Sequence, residues 1–325
     1  ENKSYVTAET LKNALQGFTL KQNTLMQEMA ALVEEKRLSL GIAITASTYR
    51  KYITIHKHLK GFLYHKYEVS DILFGQVDFA FLEAFNYYLK VCLQLSACTV
   101  NNYMKIFHSL IMRAMNKGLV FQDPFFEYEY EQVTVRRKWL SVDEIKALMK
   151  AELKHPTEIF VRDMFIFSTF TGIAYADLEN LTYDNIGRQE DGTLCVTLNR
   201  QKTGSLAFIP LTDIPLRIMK KYQDTPFAGT GGKVFKMCTL TNADILLKKI
   251  AKKAGIDKRL TYHMSRHSFA TLSISYGVPI ESVSKMLGHT NIRTTQIYAK
   301  IIDTKLSEDM DILANKLNNR KISVI

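Results

Sequence analysis

Apolar residues recur at intervals of three and four along the first 120 positions, the repeat of helices that bury one face. Leu25, Met29 and Leu32 form one such stripe, and Tyr49, Tyr52, Ile53, His56, Leu59 and Leu63 form a second. Thr45 and Ser47 stand where an N-cap for the second helix belongs. Two more helices are predicted over 77–95 and 99–117, the latter closed by Gly118 as a C-cap glycine. This half reads as a small helical bundle, with its Tyr and Phe stripes as core packing rather than base-stacking surfaces.

The pattern breaks between Val120 and Lys138, where Pro124, the run Glu127-Tyr128-Glu129-Tyr130-Glu131 and the cluster Arg136, Arg137, Lys138 follow one another. This is an interdomain linker. Such a basic segment suits a phosphate backbone, through counterion release, or a solvated tether. Helices resume after Trp139, with Ser141 and Glu144 spaced as a capping box. Alternating Leu194, Val196 and Leu198, then Lys202-Thr203-Gly204 and the run 206–210, predict a β-hairpin within 193–211. Further helices are expected over 242–254, 263–276, 280–287, 294–301 and 305–317. The expected fold is mainly α with a small β-hairpin or sheet, in two domains: 1–120 and 139–325, joined by a linker at 121–138.

Across 325 residues, 43 Lys and Arg face 32 Asp and Glu, a formal net charge of +11. That excess favours a polyanionic partner such as nucleic acid. Cys92, Cys98, Cys195 and Cys238 show neither CxxC pairing nor metal-ligand spacing, so neither a zinc site nor a disulfide framework is indicated. No apolar run reaches the ~18 residues of a membrane span and no signal peptide is evident. A cytoplasmic protein without membrane association is expected. The chain opens at Glu1 rather than Met, which suggests a processed or truncated piece of a longer chain.

Three C-terminal segments carry the chemistry: His263-Met264-Ser265-Arg266-His267, then Leu287-Gly288-His289, then Thr294 to Tyr298. Together they suit attack on a phosphodiester without a metal or other cofactor. A tyrosine hydroxyl, with a reference pKa of ~10, sheds its proton as it attacks, and an imidazole can accommodate that proton. Arginine's planar fork compensates the charge gathering on the non-bridging oxygens. A lysine on a hairpin turn, as Lys202 is, can protonate the departing 5′ oxygen.

HMSR at 263–266, LGHTNIRTTQIY at 287–298 and QKTG at 201–204 resemble the catalytic boxes of tyrosine recombinases of the phage integrase type. Their style is most similar to integrases of bacteroidete mobile elements, including conjugative transposons. TASTYRKY at 45–52 and TVNNYMKIFHSLIMRAMNKG at 99–118 look like the core-binding domain that precedes the catalytic one. That family often carries an additional N-terminal arm-binding domain, which these 325 residues do not include.

The resemblance implies Tyr298 as nucleophile, Arg266 as phosphate clamp, His263 as its partner in proton handling, His289 as donor to a non-bridging oxygen and Lys202 as general acid. It implies a 3′-phosphotyrosyl intermediate that conserves bond energy, so that strand exchange needs no ATP. His267 is read as a structural hydrogen-bonding residue.

One position departs from the family pattern. Its first arginine follows a Thr-Gly-apolar triplet, but here Thr171-Gly172-Ile173 leads to Ala174, while Asp177 holds the acidic position of that box. Losing one charged donor costs ~3 kcal/mol or more of transition-state stabilisation. Arg200 is the leading substitute, because residues two apart on a strand share a face and this would set it beside Lys202; Arg293 and Arg162 come after it. The alternative is a non-catalytic DNA-binding relative with a degenerate site.

The implied partner is double-stranded DNA bearing inverted repeats, held by a C-shaped clamp that assembles into a tetramer, with accessory DNA-bending proteins and association with the bacterial nucleoid. Arg50, Lys51, Lys57, Lys105, Arg113, Arg136 and Arg137 are expected on phosphates, and Asn101 and Asn102 on bases. The segment after Asp303 reads as an amphipathic helix and a β-branched tail, packed on its own domain or exchanged with a neighbouring protomer.

Overall fold

The computed structural model describes residues 23–133 and 137–299. The chain divides into two compact units that meet between Val135 and Arg136. In unit 1, α1 (Leu25–Leu38) is followed by α2 (Ala46–Tyr67), α3 (Phe79–Tyr87) and α4 (Ala97–Asn116). Short polar side chains start three of them by accepting otherwise orphaned backbone N–H groups. Thr45 accepts from Thr48, Asp78 from Phe81 and Ser96 from Thr99. Gly118, at φ 72°, turns the chain out of α4.

The core of unit 1 gathers Leu25, Met29, Leu59, Leu63, Phe85 and Phe107, with Phe62 packed against Phe81 and Phe85. Ile53 is the residue of the second stripe that points out, and Ile55 takes the buried place. The single helix expected over 77–95 is instead α3 plus one π-turn, Tyr88–Cys92. Leu93 N–H reaches back to Tyr88 O, five residues earlier, and Gln94 at φ 51° ends the run.

The expected linker also begins too early. Phe125 is buried in the core of unit 1, stacked on His108 with ring centroids 4.4 Å apart, and Tyr128 and Tyr130 pack there too. Pro124 changes the direction of the chain; burial of the aromatics that follow it keeps the segment in unit 1.

Unit 2 contains α5 (Val142–Lys150), α6 (Pro156–Thr171), α7 (Tyr175–Glu179), α8 (Asp213–Tyr222), α9 (Leu240–Lys253), α10 (His263–Ser275), α11 (Ile280–Met286) and α12 (Arg293–Ala299). Ser141 and Glu144 close a capping box at the start of α5. Buried α6 is the spine against which α10 packs. Phe160, Phe165, Phe167 and Tyr262 fill this core, and the Tyr262 hydroxyl donates to Met164 O at 2.8 Å.

The sheet is antiparallel in the order β1 (Ile186–Arg188), β2 (Leu194–Asn199), β3 (Leu206–Pro210), with Val196 opposite both Ile186 and Ile209. The β2–β3 hairpin is the one expected; β1 adds a short outer strand. Among the described residues no helix is long and apolar enough to cross a membrane. The helix expected over 305–317 and the tail lie outside the described residues.

Candidate active site

The first turns of α10 carry His263, Arg266 and His267, and helical spacing gathers them toward one side. Arg266 is 3% exposed. Its Nη1 donates to Gly172 O at 2.6 Å and its Nη2 to Leu287 O. Burial first, then the neighbouring Arg200, brings its pKa down to about 9, which leaves it protonated at neutral pH. Gly172 ends α6 at φ 70°, and a Cβ there would lie 2.5 Å from the Phe269 ring. Glycine is what allows this carbonyl to approach α10 closely enough to receive Arg266.

Arg200 meets the same place from the hairpin. Its Nε donates to Asp177 Oδ2 at 3.1 Å and its Nη1 to Leu287 O at 3.0 Å. Asp177, buried in α7, accepts from Gln201 N–H as well, at 2.9 Å. The two guanidiniums therefore share one backbone carbonyl, Leu287 O. Strand alternation is not what sets Arg200 beside Lys202, because β2 ends at Asn199. The turn does so: Arg200 N–H donates to Ser205 O at 2.9 Å and Gly204 N–H to Arg200 O at 2.7 Å. A cavity of about 300 Å³ is lined by Ala174, Asp177, Arg200, Lys202, His263 and Arg266, among others, so the alanine and the hairpin arginine face one space.

The Leu-Gly-His turn closes the far side. Ser205 Oγ donates to Gly288 O at 2.6 Å, tying hairpin to turn. His289 Nδ1 lies 2.8 Å from Thr295 Oγ1. Burial, then Arg266 and Arg200, pushes the His289 imidazole down to about 4.

Tyr298, on α12, is 2% exposed and packs with Phe269, Ile274, Val283 and Leu287. Its hydroxyl lies 2.7 Å from His267 Nδ1 and accepts from Arg137 Nη1 at 3.2 Å. His267 is pushed down to about 3 by burial, then by His263 and Arg137. The imidazole in contact with the tyrosine oxygen is thus His267, not His263. Successive helix residues differ by about 100° in direction, and α12 meets α10 on the His267 side. His263 packs edge-on against His267, with centroids 4.5 Å apart, and keeps part of its surface open to solvent. Its pKa is lowered by burial and then by Arg266.

Arg162 and Arg293 are elsewhere. Arg162 pairs with Asp163 at 2.9 Å, and Arg293 is exposed at the start of α12. In unit 1, Arg50, Lys51, Lys57 and Asn102 are exposed on α2 and α4. Asn101 is engaged with Glu131 O at 2.8 Å, Lys105 lies over the Tyr130 ring and Arg113 is paired with Glu35. These three have partners within unit 1, because α4 packs beside the acidic-aromatic segment and α1. Arg136 lies outside the described residues. Arg137, expected on a phosphate, contacts Tyr298, and nothing in the sequence distinguishes it from its two basic neighbours.

A model described as the phage integrase family matches residues 138–305, and one described as the phage integrase SAM-like domain matches residues 24–130. A tyrosine recombinase XerD of Halalkalibacterium halodurans is 27% identical over 221 residues, covering 63% of this chain and 70% of the relative. Among solved structures, a lambda integrase tetramer bound to a Holliday junction is similar with a TM-score of 0.69 at 16% identity, over 91% of this chain and 82% of that one. The Tn1549 transposon integrase in complex with transposon right end DNA gives 0.65 at 15% identity, over 85% and 94%.

Proposed function

The chain belongs to the phage integrase family, and on that premise we propose that it breaks and rejoins DNA strands at a specific site through Tyr298. The observation that carries this reading is the convergence of Arg200 and Arg266 on Leu287 O. It supplies two preorganised guanidiniums although position 174 is alanine.

In the proposed reaction the Tyr298 oxygen attacks phosphorus and the bond to the 5′ oxygen breaks, leaving a 3′-phosphotyrosyl link. Arg266 and Arg200 hold the non-bridging oxygens, and His289 donates to one of them. Lys202, exposed on the hairpin turn beside the cavity, protonates the departing oxygen. Asp177 orients Arg200. His263 reaches the tyrosine through His267, against which it packs. The Tyr298 proton leaves to the imidazole of His267 and Lys202 gives one to the departing oxygen, with neither metal nor nucleotide in the scheme.

The DNA is double-stranded and carries inverted repeats, and four protomers assemble on it, as the lambda enzyme does on its junction. The style of boxes 263–266 and 287–298 supports a mobile element of bacteroidete type as the cargo. Accessory DNA-bending proteins and a nucleoid-bound, cytoplasmic setting belong to the same reading.

The test is incubation of the chain with a nicked suicide duplex bearing its site, in EDTA, scoring a covalent protein–DNA adduct. The parent is expected to form the adduct and Tyr298→Phe to form none. Specific binding by the parent without an adduct would overturn the catalytic reading in favour of a DNA-binding relative.

A further inference from the structure

Resting on that assignment of Tyr298, we propose that Arg137 is a further catalytic residue, which holds the tyrosine oxygen and stabilises its phenolate while the proton passes to His267.

The geometry assigns the proton. Arginine only donates, so Arg137 Nη1, 3.2 Å away, uses a lone pair of the hydroxyl oxygen. The hydroxyl's own hydrogen then points to its other partner, His267 Nδ1 at 2.7 Å, with the imidazole as the Nε2–H tautomer. The guanidinium also lies over the phenol ring, 5.6 Å from its centroid. A cation donating to the oxygen favours the ionised form, and an acceptor in line with the O–H provides a route for the proton. As the O–P bond forms, the hydrogen moves to Nδ1, and Arg137 keeps its own protons throughout.

The position of Arg137 is built rather than incidental. It is the second residue of unit 2. Three residues on, Leu140 is buried and its N–H donates at 2.9 Å to Ser268 Oγ, the neighbour of His267 on α10. Between them, Trp139 O accepts from Lys258 Nζ at 3.0 Å. The segment bearing the guanidinium is thus tied to the helix bearing the imidazole, and the tyrosine oxygen lies between the two.

The hydroxyl touches Arg137 and His267, with Arg266 acting on it at longer range; His263 packs on His267, and His289 feels Arg266, Arg200 and Arg137. In the free protein burial first, and then His263, Arg137 and Arg266, keep His267 neutral and able to accept. A phosphodiester anion bound at Arg266 and Arg200 would offset their field and make its protonation easier.

Two readouts on the full chain decide the matter. The first is the single-turnover adduct rate at saturating DNA as a function of pH, for the parent, Arg137→Ala and Arg137→Lys. The second needs no DNA: 3-fluorotyrosine placed at position 298 alone is titrated by fluorine NMR. Arg137→Ala is expected to slow adduct formation near neutral pH by roughly tenfold to a hundredfold. The gap should narrow as pH rises, the phenol should titrate at higher pH, and Arg137→Lys should recover part of both losses. A variant folded to the parental melting temperature, with parental rate at saturation and parental phenol titration, would overturn the proposal. It would do so even if DNA affinity fell, since Arg137 would then be a phosphate contact. A parent that forms no adduct defeats the recombinase reading instead, and the fluorine titration still judges Arg137.

Discussion

His267 and His289 illustrate how a cluster of cations shapes stability as well as chemistry. Burial, reinforced by surrounding positive charge, holds them at about 3 and about 4, against an ordinary imidazole near 6.5. With the folded value depressed, the unfolded chain binds more protons as pH falls below 6.5, so stability present at pH 7 is lost on acidification toward those folded values. Between pH 7 and pH 5 the parent should therefore lose more unfolding free energy than His267→Gln or His289→Gln, as read from denaturant titrations. Equal losses would show that these rings are not held neutral. At this scale the motif residues were legible in the sequence, because box spacing groups Arg266, His289 and Tyr298. The partners of Tyr298 were not, since Arg137 is one basic residue among three and its placement depends on a bond between Leu140 and Ser268.

At the level of elements, the site depends on two turns pressed together, the hairpin tip and the Leu-Gly-His turn. Gly288 has φ 58°, and a Cβ there would meet Arg200 Cδ at 2.7 Å and Cγ at 3.0 Å. That arginine is fixed at its other end by Asp177 and cannot simply swing aside. Gly288→Ala should displace it and lower the adduct rate at saturating DNA by about tenfold or more, with DNA affinity changed little. A parental rate would argue that Arg200 does not serve the clamp. The starts of helices with clear caps, such as α2 and α5, were readable to within a residue or two, and so was the β2–β3 hairpin. The π-turn after α3 was not, because the mostly apolar run from Phe79, broken only by Glu83, Asn86 and Lys90, does not mark where the winding changes. β1 escaped notice as three mostly exposed residues with no alternation to detect.

For the molecule as a whole, the net charge of +11 predicts DNA binding that weakens steeply and linearly on a log–log plot against salt. The exposed α2 residues Arg50, Lys51 and Lys57 should each reduce that slope by about one when changed to Gln. Arg113→Gln should leave it unchanged, because Glu35 already holds this guanidinium. Unaltered slopes for all three α2 variants would move the DNA-binding face off that helix. The location of charge in the sequence and its location in space are separate matters, and the Leu287 carbonyl shows the difference. The atom that gathers Arg200 and Arg266 belongs to the main chain, so no exchange of one side chain for another at position 287 deletes it. A lineage can therefore lose an arginine from one segment and recruit another from a distant one, provided the newcomer reaches the same oxygen. The fixed point of such a site is a place on the backbone, which side chains from distant segments can reach.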